Sequence, residues 1–410
     1  MLPTNAAPRY DRRLVGWLSL AQMISWGTLF YGFSLLMQPL EEELGMGRVR
    51  SSLGFSLALL VEGALGYAVG RLIDRGHGRA VMCAGSALAA LAWGAHALVH
   101  SQTSFFAVWL LLGVAMAGTL YSPAFAIVTR RYPADFRRAI ITLTFLGGLA
   151  STVFIPLIAW LIAHLGWRQC VGVLATLHLL VCLPVHWLCL KDEPARPVML
   201  EPGQAGAVTQ SAQRLWTSPA FLFIGVFVVL MMGVTSALPA HMVSLLREQG
   251  FSERWVIGVP ALIGLLQVFG RVLMFLFEHR FDVHKSNRWI PALIPLGLAL
   301  LLLAGWLAGS SGALAIALLF AAFYGMGNGM MTIVKGTAIA LYVNREQVAT
   351  LNGLLAAPTA IARALAPLAL GAMWTAKSGY RDGLLLLLVA SGIAILALVG
   401  AQKASLTTGR

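Results

Sequence analysis

The sequence predicts an all-α polytopic membrane protein with twelve transmembrane helices in two six-helix, pseudo-symmetric halves. Three observations carry that prediction. Hydrophobic residues fill 59% of 410 positions and charged residues only 11%, against about 25% charged in a soluble domain. Apolar runs of about 20 residues, enough to cross ~30 Å of hydrocarbon, recur twelve times. One long polar interruption divides them six and six.

The runs fall near 14–40, 51–73, 80–99, 105–129, 138–163, 167–190, 218–246, 254–278, 288–308, 312–341, 348–376 and 381–402. Their joints are short and carry turn or charge signals such as "RGHGR", "RRYPADFRR" and "SGYRD". The segment from Leu190 to Pro219 is rich in proline, glycine and polar residues, as a linker is. Residues 1–190 are therefore expected to form an N-terminal six-helix bundle, 191–218 a cytoplasmic linker and 219–410 a C-terminal bundle. The first run is too long for a signal-peptide core, follows Arg9, Arg12 and Arg13, and lacks a small-residue cleavage site, so it is expected to be retained.

Basic residues set the orientation. They concentrate in alternate loops, among them Arg71, Arg75, Arg79, Arg130, Arg131, Arg137, Arg280 and Lys285, while the intervening loops hold fewer. The positive-inside rule then places both termini in the cytoplasm of a cell with a multi-pass inner (plasma) membrane protein. The net charge of +13 is spread over many short loops, not gathered on one face, which argues against nucleic acid as a partner. The four cysteines include no C-x-x-C pair, and His96, His178 and His186 are scattered without metal-ligand spacing, so no metal is expected. No G-x-x-x-x-G-K-[ST] loop occurs, and no acid, base and nucleophile cluster together. An ATP-driven pump and an enzyme are both disfavoured, and no cofactor is expected.

The halves resemble each other. "GWRQCVGVLATLHLLV" from Gly166 matches "GYRDGLLLLLVASGI" from Gly379, each opening the last helix of its half, and "GVAMAG" from Gly113 matches "GMGNG" from Gly325. Weak repeats of this kind mark secondary transporters, whose substrate lies near the midplane between repeats.

The loop after the second run contains Gly70, Asp74, Arg75, Gly78 and Arg79 in "GRLIDRGHGR". With twelve helices, this resembles the signature of the major facilitator superfamily, although His77 stands where the family usually has glycine and the glycine follows one residue later. The resemblance implies a gating role for these five residues. An aspartate here can accept from a helix N-terminus while the arginines hold the inner helix ends together. "YGFSLLMQPLEEELGMGRVRSSLGFSLALL" and "RRYPADFRRAIITLTFLGG" further resemble the monocarboxylate and oxalate–formate branch.

Charged residues inside the spans point to function. Aligning the outer turns "ELGMGR" and "EQGFSE" sets Glu62 against Gln267 and Gly66 against Arg271. Arg271 then lies within the eighth helix, and Arg363 stands in the middle of the eleventh. A cation at that depth costs about 3 kcal/mol on insertion scales and persists facing water or a partner. Glu62 is the one acidic residue deep in a run, whereas Arg271, Lys335 and Arg363 are basic. An entering carboxylate would complete the balance, and arginine's planar fork suits it. The oxalate–formate resemblance implies the same plan, with basic residues on helices 8 and 11. Monocarboxylate carriers usually place an aspartate one turn before the helix-8 arginine; Gln267 holds that place here.

The expected substrate-binding residues are Arg271, Arg363, Tyr31, Tyr121, Gln267, Tyr324 and Asn328, the tyrosines and Asn328 standing at a depth that suits a cavity wall. Arg271 equally suits capping of helix carbonyls, and Lys335 suits snorkelling. Glu62 is either a proton-coupling group or an ion-pair partner. The expected function is secondary active transport of a small organic anion by alternating access, by proton symport or anion exchange. Proton-coupled efflux of a drug or metabolite is the alternative. The implied partners are an anionic substrate, protons and the lipid bilayer, with the chain a monomer.

Overall fold

The computed structural model describes residues 10–132, 135–191, 215–277, 280, 282–310, 312–344 and 348–408. Most of the 191–218 linker lies outside the described residues. Among those residues the secondary structure is helical, apart from one isolated bridge between Thr375 and Gly379.

In chain order the helices are α1 (Arg12–Leu44), α2 (Arg48–Asp74), α3 (Gly78–His96), α4 (Gln102–Arg131), α5 (Arg138–Leu165), α6 (Trp167–Cys189), α7 (Pro219–Glu248), α8 (Glu253–Phe277), α9 (Val283–Trp306), α10 (Ala313–Tyr342), α11 (Val348–Ala372) and α12 (Arg381–Thr408). Eleven are long and apolar enough to cross a membrane. The twelfth, α3, is a 19-residue helix rich in alanine and glycine that opens with Gly78 and Arg79. Local chemistry starts several of them. Asp11 accepts from the backbone amides of Arg13 and Leu14 to cap α1, Ser101 and Ser104 form a capping box for α4, and Ser218 caps α7 with Pro219 at its first position.

The chain divides into two compact units, residues 1–46 with 57–198 and residues 47–56 with 199–410. The first turns of α2 thus pack with the second unit. Within the first unit, Leu18, Ile73, Met82, Ile127, Tyr132 and Leu143 bury one another at the end that carries the signature loop. Two of its helices widen locally into π turns, Trp26–Tyr31 in α1 and His178–Cys182 in α6. These turns meet: the Thr28 hydroxyl lies 2.8 Å from the Ile24 carbonyl oxygen and 2.7 Å from His178 Nε2.

Glycines bring helices together in both units. A Cβ on Gly113 would fall 2.5 Å from the Ala58 carbonyl oxygen, and one on Gly325 would fall 3.1 Å from that of Ile263. Gly113 and Gly325 begin the two matching glycine segments, and Ala58 and Ile263 correspond under the outer-turn alignment. The α4–α2 and α10–α8 seams are therefore equivalent, each held by close backbone approach.

Candidate functional site

Among the described residues, the cations deep in the spans, Arg271, Lys335 and Arg363, belong to the second unit, on α8, α10 and α11. Arg271 is placed by the α8–α10 seam. A Cβ on Gly329 would lie 2.2 Å from the Gln267 carbonyl oxygen, so only glycine permits this approach. The Arg271 Nε then donates to the Gly329 carbonyl at 2.9 Å. Part of its guanidinium thus caps a backbone carbonyl. Gln267, one turn earlier, is buried in the same seam.

Arg363 stands where one hydrogen bond of the continuous helix α11 is missing. Pro367 lacks an N–H, so the carbonyl of Arg363, four residues earlier, loses its helical partner. Ser236 on α7 takes over, its hydroxyl donating to that carbonyl at 3.0 Å. Beside this repair, Gly233 on α7 faces Ala362 and Ala366. Arg363 is half-buried.

Lys335 completes the group. It shares one face of α10 with Asn328 and Thr332, at helical spacing, and its ammonium reaches α7, where Nζ stands 3.7 Å from the Met232 sulfur. Met232 and Ser236 are one turn apart on α7. Sequence reasoning singled out Arg271 as the companion of Arg363; Lys335 reaches α7 one turn from Ser236, which holds the Arg363 backbone carbonyl.

The remaining predicted residues are distributed as follows. Asn328 is half-buried beside the Gly329 seam. Tyr324 departs from its expected place on a cavity wall. It is fully buried, its backbone pressed by Gly297 of α9 and its ring 5.5 Å from that of Phe320. The small residues that draw α9 onto α10 close over it. Tyr31 and Tyr121 belong to the first unit and line one aromatic run. Tyr31 meets Phe30 edge-on, Phe30 lies against Trp26, Trp26 against Tyr121 at 4.8 Å, and Tyr121 stacks on Phe125 at 4.9 Å. Glu62 is half-buried on α2 within the first unit.

The signature loop also differs from expectation in one partner. Asp74 faces an arginine side chain, Arg130 at 3.8 Å, rather than a helix N-terminus. Arg130 also donates to the Ile73 carbonyl, which ties the end of α2 to the end of α4. Arg79 lies 3.8 Å over the Trp187 ring and holds α3 to α6. Gly78 is buried at the start of α3, Gly70 has open space around it, and Arg75 is exposed.

One network had no signal in the sequence. Arg48 pairs with Glu248 at 3.0 Å, donates to the Tyr380 hydroxyl and lies 4.9 Å over Trp374. That hydroxyl is 2.9 Å from His241 Nδ1, and His241 Nε2–H donates to the Pro367 carbonyl at 2.9 Å. The start of α2 is thereby tied to α7, α11 and α12 within the second unit. The other buried histidines are core residues: His178 pairs with Thr28, His186 with Ser86 at 2.8 Å, and His96 sits among Trp93, Phe105, Trp109 and Trp167. Among the described residues no group of three potential metal ligands converges.

The family model described as Major Facilitator Superfamily matches residues 18–367. The chain belongs to that superfamily. A solved structure of the nucleoside transporter NupG, in a point-mutant form, shares its fold with a TM-score of 0.73 at 16% identity, over 95% of this chain and 99% of that one. A bacterial homolog of the human lysosomal transporter Spinster, inward-facing and unoccupied, matches with a TM-score of 0.70 at 17% identity, over 98% of both chains. No curated protein matches the sequence. This superfamily member is a multi-pass membrane transporter.

Proposed function

We propose that the chain carries a small organic anion, a carboxylate, across the inner membrane by alternating access, with both termini in the cytoplasm. One observation carries the reading. The spans of the second unit contain Arg271, Lys335 and Arg363, while the acidic residues described from 219 onward, Glu248, Glu253, Asp282 and Asp382, stand at helix ends. Each cation costs about 3 kcal/mol to insert, and a carboxylate entering from water offsets that cost by charge-assisted hydrogen bonds. The motifs that resemble the monocarboxylate and oxalate–formate branch support the same substrate class. Arg363 is the principal contact, with Arg271, Gln267 and Asn328 on neighbouring helices of its unit; Tyr31 and Tyr121 are the candidates in the first unit.

Flux into liposomes containing the purified chain tests the reading. Saturable uptake of organic anions, competed by other carboxylates, is expected; saturable flux of cations with none of anions would sink it. That second outcome would favour efflux of a cationic drug or metabolite. Glu62 is the candidate for proton coupling. Glu62→Gln is expected to abolish pH-driven accumulation while leaving substrate exchange intact, and unchanged accumulation in that variant would remove Glu62 from the coupling step.

A further inference from the structure

His241 stands at the centre of the network that ties the start of α2 to the second unit. It is fully buried on α7, and both ring nitrogens have partners. Nε2 lies 2.9 Å from the Pro367 carbonyl of α11. A carbonyl only accepts, so Nε2 carries a proton. Nδ1 lies 2.9 Å from the Tyr380 hydroxyl. Either the ring is neutral and Nδ1 accepts the hydroxyl proton, or the ring is charged and Nδ1 donates to the oxygen.

The neighbours decide between these two states. Arg48 already donates to the Tyr380 oxygen. A charged His241 would set two cations on one phenol oxygen, in a medium of low dielectric where like charges repel strongly. It would also take from the hydroxyl proton the acceptor it has. Glu248, the carboxylate of the network, receives Arg48 at 3.0 Å and the Trp374 indole N–H at 2.9 Å. The charged and titratable groups of the network around the ring are thus Arg48 of α2, Glu248 of α7 and Tyr380, which leads into α12; α11 contributes the Pro367 carbonyl. The packed cluster fits the neutral ring. Once it parts, water reaches Nδ1, and a solvated imidazole takes a proton in mildly acid solution.

The cluster holds a telling segment. Gly371 of α11 faces the Ser52 side chain with no room for a Cβ, so the seam closes only when the first turns of α2 are in place. That helix is continuous from Arg48 to Asp74, yet residues 47–56 pack in the second unit and the remainder in the first. A group that holds or frees those turns bears on the motion by which a transporter alternates its access.

We infer that His241 is a proton-binding site that controls this cluster: with the ring neutral, the start of α2 is tied to α7, α11 and α12, and with the ring protonated it is released. The site is separate from Glu62 and does not depend on the class of substrate, so the flux test above and the test below fail independently.

Hydrogen–deuterium exchange of the full chain in lipid nanodiscs, read by mass spectrometry from about pH 8 to about pH 5.5 and corrected for the pH dependence of free-amide exchange, tests it. In wild type the protection of residues 47–56 is expected to fall about tenfold, the effect of one proton over one pH unit, while that of 57–74 changes little. His241→Gln cannot take the proton and is expected to lose the pH dependence. Tyr380→Phe removes the hydroxyl that serves the neutral ring, so the fall should come at higher pH. That variant keeps His241 and decides the matter where His241→Gln does not fold. Flat protection in wild type would overturn the inference. So would an unaltered fall in His241→Gln, which would point to Glu248, or an unmoved midpoint in Tyr380→Phe.

Discussion

Each unit loses a helical hydrogen bond at a proline and replaces it from the first helix of its half, the helix turning at Leu120 in one case and running on through Pro367 in the other, yet the two sites present opposite chemistry. In the first unit Pro123 removes the N–H that the Thr119 carbonyl would use, and Leu120 leaves the helix at φ −74, ψ −166. Gln22 of α1 donates to that carbonyl at 2.6 Å. The residue after the break is Tyr121, stacked on Phe125 and tilted against Trp26. In the second unit Pro367 orphans the Arg363 carbonyl, and Ser236 of α7 repairs it. The residue at that site is a cation. The same backbone device therefore offers a neutral aromatic surface in one unit and a positive charge in the other.

The largest way to break this comparison is at Arg363. If its guanidinium grips a carboxylate through its fork, Arg363→Lys should weaken anion binding although the charge is kept. Loss of one charge-assisted bidentate contact costs about 1.5–3 kcal/mol, or roughly ten- to a hundredfold in affinity. Combined with Arg271→Lys, the loss should be smaller than the sum of the two singles if both arginines hold one ligand. Wild-type affinity in well-folded Arg363→Lys protein would make the charge at the second site a structural feature, and the contrast between the units would lose its functional meaning.

A smaller effect is expected at the first break. Gln22→Ala leaves the Thr119 carbonyl buried without its donor, which costs about 1–3 kcal/mol. The loss should appear as a lower unfolding temperature, with ligand affinity unchanged if the first break serves the frame alone. A matching fall in affinity would show that the aromatic run beyond Tyr121 touches the substrate.

Much of this was legible in the sequence because it is local or periodic. The twelve apolar runs, the signature from Gly70 to Arg79 and the glycine segments at Gly113 and Gly325 all mark helices and seams through spacing along one chain. Charge inside a run is equally visible, which is why Arg271 and Arg363 stood out. What stayed hidden is where long side chains end. Lys335 lies near a helix end and reads as a snorkelling lysine, but its reach onto Met232 depends on how α10 lies against α7. Tyr324 has the depth of a cavity residue, and only the approach of Gly297 shows that α9 covers it. Asp74 and Arg130 are far apart in sequence, so their pairing needs the ends of α2 and α4 to be side by side. Proline repairs fall between these cases. Pro367 announces an orphaned carbonyl at Arg363, but the sequence does not say which helix supplies the hydroxyl.

That last pairing gives the smallest and sharpest expectation. Ser236→Ala removes the hydroxyl that serves the Arg363 carbonyl and should cost about 1 kcal/mol of stability, the net value of one ordinary hydrogen bond. Pro367→Ala restores a backbone N–H at the position from which a regular helix would donate to the same carbonyl. It also keeps the carbonyl of residue 367, so the acceptor for His241 Nε2–H survives. In the Pro367→Ala background the Arg363 carbonyl has its own helical donor, and Ser236→Ala should then cost less than in wild type. The difference between the two costs, read from unfolding midpoints of the four proteins, measures the repair itself. If Ser236→Ala costs the same in both backgrounds, the hydroxyl acts through packing of α7 on α11, and Pro367 is not the reason Ser236 is needed.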